Sequence, residues 1–237
     1  MDGVFSVRGI VLQARDFKER DAMTCVLTPD KGLINVCVKG AGKPGSRLGF
    51  AGIPYIVADF VINISHGYYY LKDATLIESN AEIMQHLESV LTASHMALCL
   101  KDVTLQSDNC REAYELACYA YYALSLHPEN YLNIYAAFNW RILGIVGQAP
   151  EFPEIPDGEE RSINLNDGSY TNQTDGVAKL RGQEIKALNF FLKCDIKQLF
   201  TTKLSDTALH NLKHFTRQYL SVQFDRDYDT LDVLDGV

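Results

Sequence analysis

Residues 33–47 read LINVCVKGAGKPGSR, a strand-like run followed at once by a glycine-rich basic segment. Five of its first six residues are apolar and three of them are β-branched, which predicts a strand. Three glycines and Pro44 then end regular structure and predict a loop. Four basic residues and no acidic one lie between Lys31 and Arg47, although the whole chain carries a net charge of −8. We therefore expect this basic loop, residues 39–47, to bind an anion; the alternative is a solvated loop whose lysines only improve solubility.

Two phosphate-binding motifs overlap the basic loop, and neither fits. Gly40, Gly42 and Gly45 match the pattern G-x-G-x-x-G, which requires a helix to begin at once with its N-terminus at a pyrophosphate. The glycines and prolines of residues 44–54 leave no room for that helix before the next strand. A P-loop would need Ser or Thr after Lys43 to hold magnesium, but Pro44 follows it. Both kinds of nucleotide site are therefore excluded.

The first eighty residues alternate apolar and polar side chains with the period of two that is typical of strands. The predicted strands are residues 7–15, 22–28, 33–38, 55–64 and 68–77. Turns rich in Pro, Asp and Gly separate the second strand from the third and the fourth from the fifth. Five short strands with a long third connection predict a small Greek-key barrel of the OB type. Such barrels bind single strands with loop cations and stacked aromatic rings. We expect most of the available rings to belong to the core and about a third of them to touch a ligand; they are Phe17, Phe50, Tyr55, Tyr68, Tyr69 and Tyr70.

From residue 80 onward, apolar residues recur at helical spacing. A long first helix is predicted, with one buried face formed by Ile83, Leu87, Leu91, Leu98 and Leu105. Further helices follow, and Ser205 caps the last of them. We therefore predict an α+β multidomain protein. An OB-fold β-barrel (residues 1–79) precedes an α-helical domain (residues 80–237) that contains a small β-hairpin insert.

That insert, residues 148–180, is irregular and acidic. Its Asp167-Gly168 pair lies between two short β-like segments, residues 163–166 and 169–172, and predicts a tight hairpin. After the last helix, residues 225–237 contain five aspartates, which predicts a loose C-terminal tail.

Composition is that of a globular protein, since 47% apolar and 22% charged residues are enough to bury a real core. No apolar run approaches the ~20 residues of a membrane span, and the N-terminus does not resemble a signal peptide, so no membrane association is expected.

The six cysteines form no C-x-x-C pair, which favours reduced thiols in a cytosolic protein. Residues 1–80 carry a net charge of +1 and residues 81–237 carry −9, so only the N-terminal part can approach a polyanion.

Several short motifs occur in a characteristic order along the chain. They are Arg8-Gly9-Ile10-Val11-Leu12, residues 21–32, Val38-Lys39-Gly40-Ala41 with Ser46-Arg47, residues 68–71, and Gly147-Gln148-Ala149-Pro150-Glu151. In this order, and over most of its length, the chain resembles the RecO family of bacterial recombination mediators. The resemblance implies an OB-fold N-terminal part and a helical part with a small zinc-binding insert.

The resemblance also implies a function. Family members bind single- and double-stranded DNA, anneal strands and help to load the recombinase RecA. They act with RecR and with the C-terminal tail of the single-stranded-DNA-binding protein. The resemblance thus implies a cytoplasmic, nucleoid-associated bacterial protein. One departure concerns zinc: many members carry four cysteines in the insert, whereas here none lies between Cys118 and Cys194. A thiolate site cannot be built, so we expect the insert to fold without metal and the protein to need no cofactor.

Two candidate sites are predicted. In the basic loop, we expect Lys39, Lys43 and Arg47, with Lys31 nearby, to contact phosphates, and Phe50 to stack on a base.

The second candidate site would bind the partner's acidic tail, which ends in an apolar residue and needs a cation beside an apolar pocket. In the last helices we expect Lys186, Lys213 and Arg217 to supply the cations and Phe215 part of the pocket. The alternative is that these apolar residues are all core and the lysines only solvate helix faces.

No catalytic arrangement emerges from the sequence, so an enzyme is not predicted. His210 and His214 have the i, i+4 spacing of a zinc-binding helix, but Asn211 replaces the glutamate that should follow the first histidine. A second function remains open, a protein-interaction adaptor on the same fold with weakened DNA binding. Salt-dependent affinity for single strands would distinguish the mediator from the adaptor.

Overall fold

The computed structural model describes residues 3–106 and 110–236, with strands first and helices after them. The strands of the first part are β1 (Gly3–Phe17), β2 (Asp21–Thr28), β3 (Gly32–Val38), β4 (Val57–Ser65) and β5 (Tyr68–Glu78). The elements that follow are α1 (Leu87–Gln106), α2 (Cys110–Leu126), α3 (Tyr131–Ile145), β6 (Glu160–Asn164), β7 (Val177–Arg181), α4 (Gly182–Lys193) and α5 (Asp206–Phe224). Short 3-10 helices lie at Gly49–Gly52, Ala81–Gln85, Pro128–Asn130 and Asp232–Gly236. None of the described helices is long and apolar enough to cross a membrane.

The first five strands close into a barrel in the order β1-β2-β3-β5-β4, and β4 also pairs with β1. β1 pairs with β4 along its first half and with β2 along its second half, and an irregularity between Val11 and Gln13 accompanies this change of partner. β3 and β5 run parallel and meet only at Val36 with Tyr69 and at Cys37 with Tyr70. The predicted α+β fold, with an N-terminal barrel ahead of the helices, is confirmed.

Both predicted turns of the barrel form, and residues with positive φ make them possible. In the β2–β3 turn, Gly32 has φ +61°, and the Thr28 hydroxyl donates to the Gly32 carbonyl at 2.9 Å. Between β4 and β5, His66 and Gly67 have φ +50° and +80°, the left-handed pair that a tight two-residue hairpin requires. This second turn fixes the register in which Ser65 lies opposite Tyr68.

The apolar core continues from one wall of the barrel into the helices. The barrel residues that share a buried cluster with the helical core are Ile10, Leu12, Leu27, Tyr55 and Val57. Polar contacts cross the same junction: the Tyr55 hydroxyl lies 3.0 Å from Ser94 Oγ on α1, and the Asn80 side-chain amide donates to the Tyr55 carbonyl at 2.8 Å. The domain boundary between residues 79 and 80 stays a prediction.

The buried face of α1 differs from the predicted one. Leu87 exposes 63% of its surface and Leu91 and Leu98 are only half-buried, whereas His95 is fully buried. His95 Nε2 lies 2.7 Å from the amide oxygen of Asn139 on α3, so the polar ring finds its partner inside the core. Ile83, in the 3-10 helix before α1, is fully buried as predicted, and Leu98 packs against the core. The prediction was wrong for Leu87, because apolar periodicity alone misses a helix that buries small and polar side chains. The side chain of Leu105 lies outside the described residues.

The insert contains the predicted Asp-Gly turn and, in addition, a longer strand pairing. Tyr170 forms an antiparallel bridge with Ile163, the Asn164 N–H donates to the Ser169 carbonyl at 2.9 Å, and the Thr171 N–H donates to the Ser162 carbonyl at 3.0 Å. The longer pairing, which was not predicted, joins β6 to β7. The Asp-Gly pair forms a turn inside the loop that joins the two strands, where the Gly168 N–H donates to the Asn164 carbonyl at 2.8 Å. Burial favours the longer pairing of β6 with β7, because Leu180 of β7 is fully buried whereas residues 169–172 offer no aliphatic side chain to the core.

Aromatic side chains hold the insert against the helices. The Phe152 ring stacks on Trp140 of α3, with centroids 5.8 Å apart, and on Tyr170, with centroids 6.2 Å apart. Asn189 of α4 hydrogen-bonds both the N–H and the carbonyl of Phe152, at 3.0 and 2.7 Å. Packing of this kind can order an irregular segment because each ring buries a large apolar area.

The C-terminal segment is packed, so the predicted loose tail is wrong. Tyr228 and Leu231 are buried, with 0% and 1% exposure. Arg226 donates twice to the Asp102 carboxylate on α1, at 2.7 and 3.0 Å, and the Tyr228 hydroxyl donates to the same carboxylate at 2.7 Å. Two apolar anchors and these charged hydrogen bonds outweigh the repulsion among the aspartates.

Candidate nucleic-acid interface

The basic loop begins at the end of β3 and is fastened to the β1–β2 turn. The Lys43 N–H donates to the Gly40 carbonyl at 3.1 Å, and Gly40 adopts φ +66°, which glycine reaches without strain. The Gly40 N–H donates to the Asp21 carboxylate at 2.8 Å, and the Gly42 N–H donates to the Arg20 carbonyl at 3.1 Å. Because of these bonds, the cations of both segments lie at the same end of the barrel.

Lys39, the first residue of the basic loop, lies over an aromatic ring on the outside of the barrel. Its Nζ is 4.7 Å from the centroid of Tyr70 on β5, a cation–π contact. Burial raises the pKa of the neighbouring Cys37 thiol and the Asp21 carboxylate raises it further, whereas Lys39 and Lys18 lower it. The ammonium groups of Lys18 and Lys39 therefore both lie within electrostatic reach of the Cys37 thiol.

A bulge in β5 directs two charged side chains outward. The pairing of β5 with β4 shifts register around Lys72, and both Lys72 and Asp73 are exposed. Arg47 donates to the Asp73 carboxylate at 2.8 Å, and this hydrogen bond is the main reason that the pKa of Asp73 is lowered. Both side chains are more than half exposed, so this ion pair is weak and readily exchanged. Arg47 thus lies beside Lys72, but it shares its charge with an acid.

Of the other predicted phosphate contacts, Lys43 joins this group and Lys31 does not. Lys43 is exposed, and its alkyl stem lies so close to Gly40 that a Cβ there would be 3.2 Å from Lys43 Cδ. Lys31 lies at the opposite end of β3, with its Nζ 4.9 Å from the Phe5 ring. Seven residues of strand, about 23 Å, separate it from Lys39, so the prediction that Lys31 lies nearby is wrong.

Phe50 is half-buried and packs against the apolar core of the barrel, which leaves it poorly placed to stack on a base. The rings available on the outer face are Tyr68, which is 67% exposed, and the half-buried Tyr70. The sequence did carry a signal for this outer face. A period of two places side chains on the same face of a strand, and it relates Tyr68, Tyr70 and Lys72. Sequence analysis included Tyr68 and Tyr70 among the rings available to a ligand, but it missed Lys72 and Lys18 as members of the candidate site.

Two of the residues predicted to bind a partner's tail are buried. Lys213 is 2% exposed and its Nζ donates to the Leu231 carbonyl at 3.3 Å. Phe215 is also 2% exposed and packs on Trp140, with ring centroids 5.5 Å apart. A tail cannot reach either side chain in this conformation, so both assignments are corrected: the packed C-terminal segment covers the lysine, and the aromatic core contains the phenylalanine.

The other two predicted partner-binding residues lie in different surroundings. Arg217 is 23% exposed and already pairs with Asp232 at 2.9 Å and donates to the Tyr228 carbonyl at 3.0 Å. Lys186 is exposed on α4 and pairs with Asp157 of the insert at 2.9 Å, an exposed contact that raises the pKa of Lys186. Lys186 is thus the predicted cation that remains accessible.

The zinc implied by the family resemblance does not fit the insert. Residues 148–180 contain neither cysteine nor histidine, the donors that structural zinc sites use. Within residues 3–106 and 110–236, no group of three or more His, Cys, Asp or Glu side chains could hold a metal ion. None of the cysteines in the described part of the chain forms a disulfide.

Comparison with known proteins places both parts of the chain in one family. Residues 1–80 match the family model described as "Recombination protein O N terminal", and residues 84–232 match "Recombination protein O C terminal". The similar curated proteins include DNA repair protein RecO of Acetivibrio thermocellus, 25% identical over 95% of this chain and 94% of that protein. The RecO protein of Thermoanaerobacter sp. (strain X514) is 21% identical over 99% of this chain and 98% of its own length.

Proposed function

The chain belongs to the RecO family, and on that premise we propose that it is a DNA repair protein that binds single-stranded DNA on the outer face of its barrel. We further propose that it binds duplex DNA, anneals strands and assists RecA loading together with RecR. These roles belong to a recombination mediator, which needs no catalytic residues of its own. Its place would be the bacterial cytoplasm, at the nucleoid.

One observation carries the proposal: Lys39 lies over the Tyr70 ring, among further exposed cations on one side of the barrel. Those neighbouring cations are Lys18, Lys43 and Lys72. Phosphates require cations and unpaired bases require aromatic surface, and single-strand-binding barrels present both together. The remainder of the chain, with a net charge of −9 over residues 81–237, would repel a nucleic-acid backbone.

The acidic tail of the single-stranded-DNA-binding protein would need a different surface. On α4, Lys186 is exposed and Phe190, one helical turn later, is 39% exposed. A cation beside an apolar ring is the combination that an acidic tail with an apolar end requires. We therefore place the tail on this face of α4, since Lys213 and Phe215 are inaccessible.

The adaptor function is the second candidate, and the exposed apolar side chains of α2 support it. Tyr119, Tyr122 and Leu126 are 36%, 47% and 55% exposed and recur at helical spacing. Exposed apolar side chains along one helix face are typical of a protein-binding surface. Under this alternative, RecR or another protein would be the main partner and affinity for DNA would be low.

Fluorescence anisotropy with a labelled oligothymidylate at several salt concentrations tests the proposal. If three or four of the clustered lysines contact phosphates, the logarithm of the affinity should fall against log salt with a slope of about −2 to −3. Changing Lys39, Lys43 and Arg47 together to Glu should abolish binding without unfolding the protein.

A charge-matched control is available in the helical part. Changing the exposed residues Lys193, Lys197 and Lys203 to Glu alters the net charge equally and should leave most of the affinity. Lys31→Glu should also have little effect because Lys31 lies at the far end of β3. Absence of salt-dependent binding in the unmodified protein would reject DNA binding and favour the adaptor.

A further inference from the structure

We propose that the groove between the basic loop and the outer face of β4–β5 is a base-stacking site for unpaired nucleotides, with Tyr70 as its platform. The inference deepens the proposed function and rests on it. The groove is lined by Lys39, Asn63, Ser65, Tyr70, Leu71 and Lys72.

The register of the barrel assembles this groove. Asn63 lies opposite Tyr70 and Ser65 lies opposite Tyr68, so these four side chains share the outer face of the β4–β5 hairpin. On the inward side, Tyr69 and Leu71 pack against the core of the barrel. Their packing anchors β5, so the outer tyrosines are presented from a fixed strand and not from a loop.

The bulge at Lys72 completes the groove. Without it, Lys72 and Asp73 would point to opposite faces; with it, both are exposed, while Ala74 is again buried in the barrel. Lys72 can therefore bind a phosphate at one end of the groove. Arg47 donates a hydrogen bond at 2.8 Å to Asp73, the residue after Lys72. It can release this carboxylate and bind a second phosphate instead.

Lys39 occupies the position that a stacked base would take. Its Nζ lies 4.7 Å from the Tyr70 centroid, and Lys39 is exposed, so the contact is a weak cation–π interaction. A base could replace the ammonium group on the ring while the flexible lysine moves to the adjacent phosphate. The lysine would then cover the ring in the free protein and bind the backbone in the complex.

The chemistry selects single strands over duplexes. A ring can stack on a base only when that face of the base is not covered by its neighbours, which holds for an unpaired strand. Tyr68, two residues before Tyr70 and 67% exposed, offers a second ring to the next base. The amide of Asn63 and the hydroxyl of Ser65 can hydrogen-bond base edges without demanding one sequence. We therefore expect little sequence preference.

The test separates base stacking from phosphate binding. Two probes of equal length are compared by anisotropy: an oligothymidylate and an abasic deoxyribose-phosphate oligomer. Tyr70→Leu should weaken binding of the oligothymidylate about 5- to 150-fold and leave the abasic oligomer unchanged. Tyr70→Phe should retain the affinity because the ring is kept. The matched control is Tyr122→Leu, an exposed tyrosine on α2, which should alter neither probe.

Two other outcomes would contradict the stacking site. If Tyr70→Leu weakens the binding of both probes equally, or of neither probe, base stacking at Tyr70 is overturned and DNA binding is left intact. Failure of the unmodified protein to bind either probe would overturn the proposed function and the stacking site with it. A measurement on the unmodified protein covers the case in which Tyr70→Leu fails to fold: photocrosslinking to 5-iodouracil in the oligonucleotide should label the peptide that contains residues 68–72. Labelling confined to other peptides would reject the site.

Discussion

The hydroxyl of Tyr55 lies 3.0 Å from Oγ of Ser94 and links the last loop before β4 to the middle of α1. Tyr55 has φ +70°, a left-handed conformation that costs energy for a tyrosine. Its ring also contacts Tyr121 of α2, with centroids 5.1 Å apart. The surrounding contacts therefore hold a strained residue at the junction between barrel and helices.

Replacing Tyr55 with Phe should lower the free energy of unfolding by about 1 kcal/mol, because the ring remains and only the hydrogen bond to Ser94 is lost. Urea denaturation followed by circular dichroism measures this change. Tyr119→Phe, which removes a hydroxyl from an exposed side chain, serves as the control and should have no effect. A loss as small as that of the control would show that the contact does not stabilise the junction.

Acid should destabilise the protein through His95. Burial lowers the pKa of His95 to about 4, whereas the unfolded chain binds the same proton near pH 6.5. The unfolded state therefore takes up the proton first, and the stabilisation present above pH 6.5 is lost as the pH falls toward 4. The loss should reach roughly 3 kcal/mol.

Urea unfolding of the unmodified protein and of His95→Gln at pH 7, 6 and 5 measures this contribution. The variant is less stable throughout, but the difference between the two proteins should shrink as the pH falls. A difference that stays constant with pH would mean that His95 binds its proton equally well in both states.

Removing the acid that holds Arg47 should strengthen DNA binding. Asp73→Asn keeps a side-chain oxygen for the Ala74 N–H but removes the charge that pairs with the guanidinium. Affinity for oligothymidylate should rise several-fold, and the salt slope should steepen by about 0.7 because one more phosphate is neutralised. Asp175→Asn, an equal charge change on an exposed residue of the insert, is the control. If both variants behave alike, Arg47 does not contact the strand.

The insert should fold without zinc. After chelation and dialysis, metal analysis should find no stoichiometric zinc, and the melting temperature should be unchanged. Phe152→Ala should instead cost about 3–5 kcal/mol of stability, because it removes the 4%-exposed ring stacked between Trp140 and Tyr170. Retained zinc, or a large loss of stability on chelation, would show that metal holds the insert.

Much of the barrel could be predicted from the sequence because strands that bury one face carry a period of two. The predicted strand 33–38 became Gly32–Val38, and the turn at His66-Gly67 closed the predicted hairpin. The basic loop was located correctly, since Pro44 and the glycines exclude regular structure. Lys31 was wrongly grouped with the basic loop, because the whole length of β3 separates it from Lys39 although the two residues are close in sequence.

Features that depend on tertiary partners could not be predicted. Nothing local marks His95 as buried, since its partner Asn139 lies 44 residues away. Lys213 looked like a solvated cation, yet the C-terminal segment covers it. That segment looked solvated because of its aspartates, whereas Tyr228 and Leu231 fill space between helices that only the folded chain creates. The sequence did not show which of the barrel's aromatic rings face outward; the register of β5 with β4 places Tyr70 outside.

The apolar cluster that Ile10, Leu12 and Leu27 share with the helices limits how this protein can be divided for experiments. A fragment that ends near residue 79 would leave that wall of the barrel facing water, and exposed apolar walls promote aggregation. Loss of DNA binding in such a fragment would then report misfolding and not the location of the site. The two halves are better separated by point substitutions in the intact chain, where each surface can be disabled while the other remains covered and folded.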